Sequence, residues 1–278
     1  MATARTVTVS HLGGIDVGYC MPAYDPAKPT LLMINSFATD VRLFNDLFAS
    51  AAAAAQVNLL AIEPLGCGRT RPKTCAYWSH WDSAYMALQV LDALKVDKVF
   101  ILGVRGLIPV SISFDCESAR ARELGCWDSA AVIRKYLPEW DKPGPTPDYV
   151  PTDNFSEYYA DVNFGPDCPA EVRDFWVQNL KARYRGNAGR RELMVMSFAY
   201  LERGSMYCKL RDIRCPLLLI MASHDPVFSV ENAKDEIQWA ANSPEAKLVV
   251  VDGQDHSLIY LHSKEVEQYV LDFVKMYG

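Results

Sequence analysis

The sequence has no apolar run near the roughly 20 residues needed to cross a bilayer. Its opening, MATARTVTVS, has no apolar stretch long enough for the core of a signal peptide. Neither a membrane partner nor secretion is therefore expected, and the cytoplasm is the expected location. Charge is also scarce. Only 22% of residues are charged, the net charge is −6 and the pI is near 5.4, which argues against nucleic acid or an anionic membrane surface as a partner. The eight cysteines (Cys20, Cys67, Cys75, Cys116, Cys126, Cys168, Cys208 and Cys215) include no Cys-x-x-Cys pair and no zinc-like spacing. They read as reduced thiols, mostly core packing, and not as a metal site or a disulfide framework. The sequon at Asn154–Ser156 is then idle, because glycosylation needs secretion. There is no internal repeat, and the one biased stretch is the alanine-rich run at residues 49–55, which suits a helix. No metal or organic cofactor is implied. The oligomeric state is not fixed by the sequence, and a homodimer is one of the states open to it.

Apolar residues are plentiful. Half of the 278 residues are hydrophobic, enough for a large core in one α/β domain with an inserted subdomain. TVTVS at residues 6–10, the turn signal LGG and then IDVGY predict a β-hairpin at a sheet edge. TLLMIN at 30–35 and VNLLAI at 57–62 are continuous apolar runs, suited to strands buried on both faces. Between them residues 41–55 predict a helix. Residues 79–94 place Ala84, Ala87, Leu88, Leu91 and Leu94 on one helical face, with Ser79 or Asp82 as the cap. Further strands are predicted at KVFIL (98–102), LIPVSI (107–112), PLLLIM (216–221) and KLVVV (247–251), and a last amphipathic helix at 263–276. Strands alternating with helices give a mostly parallel, doubly wound sheet. Residues 115–214 have no strand-like runs and many aromatic and charged residues. They are expected to form a helical cap inserted into a core made of 1–114 and 215–278.

The residues that carry chemistry lie near the end. Asp225 follows the run PLLLIM, and His256 follows KLVVV in DGQDHS. In doubly wound sheets reactive side chains gather beyond the carboxyl ends of the strands. A carboxylate there can hold an imidazole in one tautomer, so that the other ring nitrogen is free to take a proton. His224 and Asp255 are their neighbours in sequence and rival candidates. His11, His80 and His262 fall on a turn or on helices and are expected to be structural.

The order of TVTVSHLGGI, KPTLLMINSF, NLLAIEPLGCGRT, KVFILG, ELGCWD and YRGNAGR, with the Asp225 and His256 endings, resembles the α/β-hydrolases over nearly the whole chain. It is most similar to fungal hydrolases of toxin and polyketide gene clusters, such as the AK-toxin type. The resemblance implies an α/β-hydrolase fold and hydrolysis of an ester, thioester or lactone of a small hydrophobic, polyketide-like substrate. It implies Asp225 and His256 as catalytic acid and base, and the backbone N–H of Phe37 as half of an oxyanion hole. It also places Cys67 where the matching turn commonly carries His. The family implies a peroxisomal address too, but the KMYG tail is not an SKL-type signal.

One departure is large. The family's strand matching KVFILG runs into a Gly-x-Ser-x-Gly elbow and a helix, whereas here only Val104, Arg105 and Gly106 separate Gly103 from Leu107. No Gly-x-Ser-x-Gly occurs in the chain, and the single Gly-x-Asp-x-Gly, at Gly14–Gly18, lies in the predicted hairpin. Relative to the family about 18–20 residues are absent, the length of an elbow and one helix. Neighbouring parallel strands need a crossover of about a dozen residues. Residues 107–112 are therefore expected to form an antiparallel hairpin with the preceding strand, to prolong it, or to leave their usual place. The nucleophile is left unknown. Ser111, Ser113, Cys116 and Cys67 are substitutes, though none is expected on a strained turn. Three functions stay open: a hydrolase, a catalytically inactive copy or scaffold, and a cyclase or isomerase that uses His256 as a general base without a covalent step.

Overall fold

The computed structural model describes residues 3–74, 77–97, 99–101, 106–115 and 118–277. Strands β1 (Arg5–Val9) and β2 (Ile15–Cys20) form the expected antiparallel hairpin, with Val7 opposite Val17. The buried runs become β3 (Thr30–Ile34) and β4 (Asn58–Ile62), paired in parallel with Leu32 opposite Leu60. A two-residue strand β5 (Arg71–Pro72) pairs with β2, and β6 (Val99–Ile101) runs parallel to β3. The order in this sheet is β1-β2-β4-β3-β6. Strands β7 (Leu217–Ala222) and β8 (Ala246–Val251) pair in parallel.

Residues 107–110 do not fold back on β6. They run parallel to β7, with Leu107 opposite Leu217 and Val110 opposite Ile220. Leu107 N donates to Pro216 O (2.8 Å), Ile220 N to Pro109 O (3.0 Å) and Ser111 N to Ile220 O (2.9 Å). Of the three courses left open for this segment, the antiparallel hairpin is excluded, and the segment forms two bridges instead of a full strand. Pro109 has no N–H to give to the ladder, and Ser111 turns the chain into the left-handed region (φ 50°). The link itself, including Gly103, Val104 and Arg105, lies outside the described residues.

The helix expected over 41–55 is also divided. A 3₁₀ turn at Val41–Phe44 leads into α1 (Asn45–Ala49), and α2 (Ala51–Gln56) starts afresh. Ser50 sits between them in an extended conformation and its side chain accepts from Ala53 N. A serine that caps the next helix cannot also continue the previous one. Helix α3 (His80–Leu94) carries a capping box in which Ser79 accepts from Asp82 N and Asp82 accepts from Ser79 N.

Between residues 118 and 214 the described residues hold no strand. They form α4 (Ala119–Glu123), α5 (Ser129–Trp140), α6 (Asp153–Phe164), α7 (Ala170–Arg183) and α8 (Gly186–Leu201). After β7 come α9 (Val230–Ile237), α10 (Leu258–Leu261) and α11 (Ser263–Tyr277). One sheet face, with Leu32, Leu60 and Ile62, packs on Met86, Val90 and Leu91 of α3. The other, with Leu31, Leu59 and Ala61, shares a core with α1, α11 and the α5–α8 helices. Ala121 of α4 packs against Leu219, Met221 and Ala233, tying α4 to β7 and α9.

Glu236 on α9 is fully buried. Its Oε1 accepts from Ser113 Oγ (2.6 Å) and Asp115 N (2.8 Å), while Oε2 has no partner among the described residues. Burial raises its pKa above the ordinary 4.5. An acid whose pKa is raised by folding holds more protons folded than unfolded. Its stabilisation is complete below 4.5 and is lost as the pH rises through the folded value. Glu236→Gln keeps the Oε1 acceptor and removes the charge. It is expected to match the parent in urea denaturation near pH 4 and to exceed it at pH 8, and equal midpoints at both pH values would contradict this.

Candidate functional site

The chain leaves β7 at Ala222 and reaches Asp225 before Pro226. The Asp225 carboxylate is wholly shielded from solvent. Its Oδ1 accepts from Val227 N (2.8 Å) and Phe228 N (3.2 Å), a turn that fixes the side chain on its own backbone. The loop after β8 brings His256 against it, with Nδ1 3.0 Å from Oδ2 and 3.2 Å from Oδ1. The imidazole also meets the Phe228 ring edge-on at 5.6 Å. Nδ1 therefore carries the hydrogen, and Nε2 is the basic nitrogen, with no hydrogen-bond partner among the described residues.

The rival pairings resolve differently. Asp255 bonds His262 Nε2 at 2.7 Å, and His224 Nδ1 lies 2.8 Å from Ser223 Oγ. Ser257 N donates to Asn163 O (2.8 Å), fastening the His256 loop to the end of α6. His11 bonds Asp82 at 2.9 Å. His80 opens α3, and burial lowers its pKa, with Arg203 adding to the shift.

His256 borders a cavity of about 760 Å³. Phe37 lines it too, in the turn after β3. That turn is held by Thr39 N donating to Ser36 O (3.2 Å) and by Asn35 Nδ2 donating to Thr39 Oγ1 (3.2 Å), with Ala38 at φ 58°. The Phe37 N–H has no acceptor among the described residues, as an oxyanion donor requires. Among the aromatic residues of the helical segment, Trp127, Trp140, Tyr158 and Tyr159 line the cavity. Phe175 and Trp176 do not, and Trp176 is instead stacked on Phe164 at 5.4 Å.

Four substitute nucleophiles were in view. Ser113 Oγ is committed to Asp115 O (3.0 Å) and Glu236, and Cys116 lies outside the described residues. Cys67 lines the cavity, but its thiol is pushed up to about 12 by burial and points at Ser36 O (3.8 Å). It is a neutral thiol at physiological pH. Iodoacetamide at pH 7.5 is expected to modify the exposed Cys208 and leave Cys67 intact on peptide mapping. Alkylation of Cys67 in the folded protein would restore it as a nucleophile. Ser111 differs from the expectation of an unstrained turn. Its φ of 50° stores about 1–2 kcal/mol. The residue is 3% exposed, its hydroxyl has no partner among the described residues, and it lines the cavity with His256. Nothing in sequence marks that conformation, since Ser is not a residue that favours it.

No family model matches the sequence, and no curated protein does. Solved structures do match in shape. A hydrolase from Pseudomonas aeruginosa PA01 aligns with a TM-score of 0.74 at 17% identity, over 97% of this chain and 98% of that one. A thermophilic esterase from Thermogutta terrifontis aligns at 0.72 and 14% identity, over 99% of both chains. An N-acyl homoserine lactonase, complexed with N-hexanoyl homoserine, aligns at 0.69 and 17% identity, over 100% of this chain and 98% of that one. At such identities the likeness is one of architecture, and the chain has the α/β-hydrolase fold.

Proposed function

We propose that this protein hydrolyses an ester, thioester or lactone of a hydrophobic, oxygen-bearing substrate, with Asp225 and His256 as its acid–base pair. The observation that carries the reading is the imidazole fixed through Nδ1 by a shielded carboxylate, on the wall of a large apolar cavity. In the reaction His256 Nε2 takes a proton from a water molecule as its oxygen bonds to the acyl carbon. The Phe37 N–H supports the charge that develops on the carbonyl oxygen. The intermediate then expels the alcohol or thiol, which recovers the proton from His256. Water is the preferred attacking group because no serine or cysteine bonds His256 among the described residues and the chain has no Gly-x-Ser-x-Gly.

The substrate class rests on the cavity wall. It is mostly apolar, yet Asn35 Oδ1, Ser111 Oγ, Tyr159 OH and Ser257 Oγ are buried there with no partner among the described residues. Buried polar atoms call for partners, and hydroxyl or carbonyl groups on an apolar ligand supply them. The sequence resemblance to fungal toxin-cluster hydrolases supports the same class, a polyketide-like acyl compound. Helices α5–α8 act as the cap over it. The link too short for an elbow supports a second reading, in which His256 removes a proton from the bound substrate itself, as a cyclase or isomerase would.

Purified protein assayed with p-nitrophenyl esters and a fluorophosphonate probe separates these readings. Turnover that depends on His256 without probe labelling is expected. Labelling at Ser111 would replace water by a covalent nucleophile. Absence of turnover would leave the cyclase or an inactive copy.

A further inference from the structure

The wall of the His256 cavity is one-sided in charge. The chain has 34 Asp and Glu against 28 Lys and Arg, yet among the described residues no carboxylate and no lysine lines this cavity. Two imidazoles do, from His80 and His256, and one guanidinium, that of Arg203 just beyond α8. Burial, with Arg203 adding to it, lowers the His80 pKa below the ordinary 6.5, so that ring is neutral at pH 7. Arg203 is thus the fixed positive charge of this wall among the described residues. Glu202, its neighbour in sequence, is exposed and stands outside the wall. Apolar surroundings focus the field of such a charge and draw anions towards it.

Aromatic side chains hold the guanidinium in place. Its central carbon lies 4.3 Å from the centre of the Tyr200 ring and 5.9 Å from that of Phe228, and Nη2 donates to Tyr200 OH at 3.4 Å. The same Phe228 ring stands 5.6 Å from the His256 ring. One phenyl ring therefore relates the charge to the imidazole. The spacing is set by backbone, because Phe228 N donates to Asp225 Oδ1 (3.2 Å) in the turn that holds the acid. Contact with a ring engages the face of a guanidinium, whereas a carboxylate takes two N–H groups along its edge. The two kinds of contact do not compete.

We propose that Arg203 binds a carboxylate on the substrate, so that the acyl compound acted on at His256 carries a second, anionic end a short apolar chain away from the scissile carbonyl. This deepens the hydrolytic reading and rests on it for the chemistry at His256. The anion site itself rests on Arg203 and on the charge of the wall. The apolar wall receives the chain that joins the two ends. A neutral ester of equal length gains the apolar contacts alone.

The test compares p-nitrophenyl hydrogen adipate with p-nitrophenyl hexanoate, whose acyl chains are equal in length and differ in the terminal carboxylate. With the full chain, kcat/KM is expected to favour the adipate by about tenfold or more, mainly through KM. The preference is expected to shrink as NaCl is raised from about 0.05 M to about 0.5 M. Arg203→Met is expected to abolish the preference, and Arg203→Lys to keep part of it, since the charge stays and the planar fork is lost. Each variant is scored by the ratio of the two esters, which a general loss of activity does not change. Binding is read apart from turnover in His256→Ala, by calorimetry with monomethyl adipate and methyl hexanoate, and the former is expected to bind more tightly by a similar factor. Equal ratios in the parent, a preference that survives Arg203→Met, or binding of neither compound would overturn the inference. Tighter binding of monomethyl adipate, with no ester turned over by the parent, keeps the anion site and rejects the hydrolytic reading. Ester turnover with no preference in either assay does the reverse.

Discussion

Asp225→Asn is expected to lower ester turnover by about 10⁴-fold while KM stays within a few-fold of the parent, with the fold intact. The reason lies in the two roles of the carboxylate. Oδ1 takes two backbone N–H groups, from Val227 and Phe228, and the nearer contact to His256 Nδ1 is from Oδ2. An asparagine would keep its oxygen on the two N–H donors, because its amide nitrogen cannot accept them. That places the NH₂ group against Nδ1, which must then become the acceptor. The proton moves to Nε2, and the nitrogen facing the cavity can no longer act as a base. The same substitution in a catalytic triad costs about 10⁴ for this reason. His256→Ala removes the base altogether and should fall as far or further. Thermal unfolding of Asp225→Asn should stay close to the parent, since no core volume changes. If Asp225→Asn lost less than tenfold in turnover, the pair would not be the working acid–base system. Under the cyclase reading the same loss is expected with the pathway intermediate and not with simple esters.

Much of this could be read from residue order. TLLMI and NLLAI announce strands buried on both sides because nothing in them is polar, and the structure pairs them in parallel register. Asp225 and His256 stood out because each follows such a run, and the loops do bring the two side chains together. What could not be read depends on groups distant in sequence or on backbone angles. Asp255 lies next to His256, yet its partner is His262, reached because α10 turns that side chain back onto the loop. The break at Ser50 needed the knowledge that its hydroxyl would choose Ala53 N. Link length left three courses open for residues 107–112, and the parallel course of 107–110 beside β7 could not be chosen among them, because the contact is made with β7, a strand more than 100 residues further along the chain. Ser111 looked ordinary until its left-handed backbone was known. Among the aromatics, Tyr159 and Trp176 are alike in sequence terms, but one lines the cavity and the other is sealed between helices.

That difference makes Trp176→Ala the substitution expected to damage the fold most. The indole is fully buried, stacked on Phe164 at 5.4 Å and edge-on to Tyr260 at 5.7 Å and Phe175 at 5.2 Å. These contacts join α7 to the end of α6 and to α10. Truncating a large aromatic in such a setting costs about 3–5 kcal/mol, the lost transfer of the side chain plus the cavity left behind. Aromatic pair geometry adds roughly 0.5–1.5 kcal/mol per pair. With a typical stability of about 5–15 kcal/mol, the variant is left marginal, and a fall in the urea midpoint is the direct measurement. The effect should also reach the site. Phe164 lies one residue beyond Asn163, whose carbonyl holds Ser257 N, and Tyr260 lies on the helix that follows His256. Loosening this packing frees the His256 loop, so turnover should fall more than KM rises, in protein still folded at low temperature. Trp176→Phe keeps a ring in the stack and is expected to recover most of both losses. Loss of stability with turnover unchanged would show that the packing around Trp176 does not hold the His256 loop.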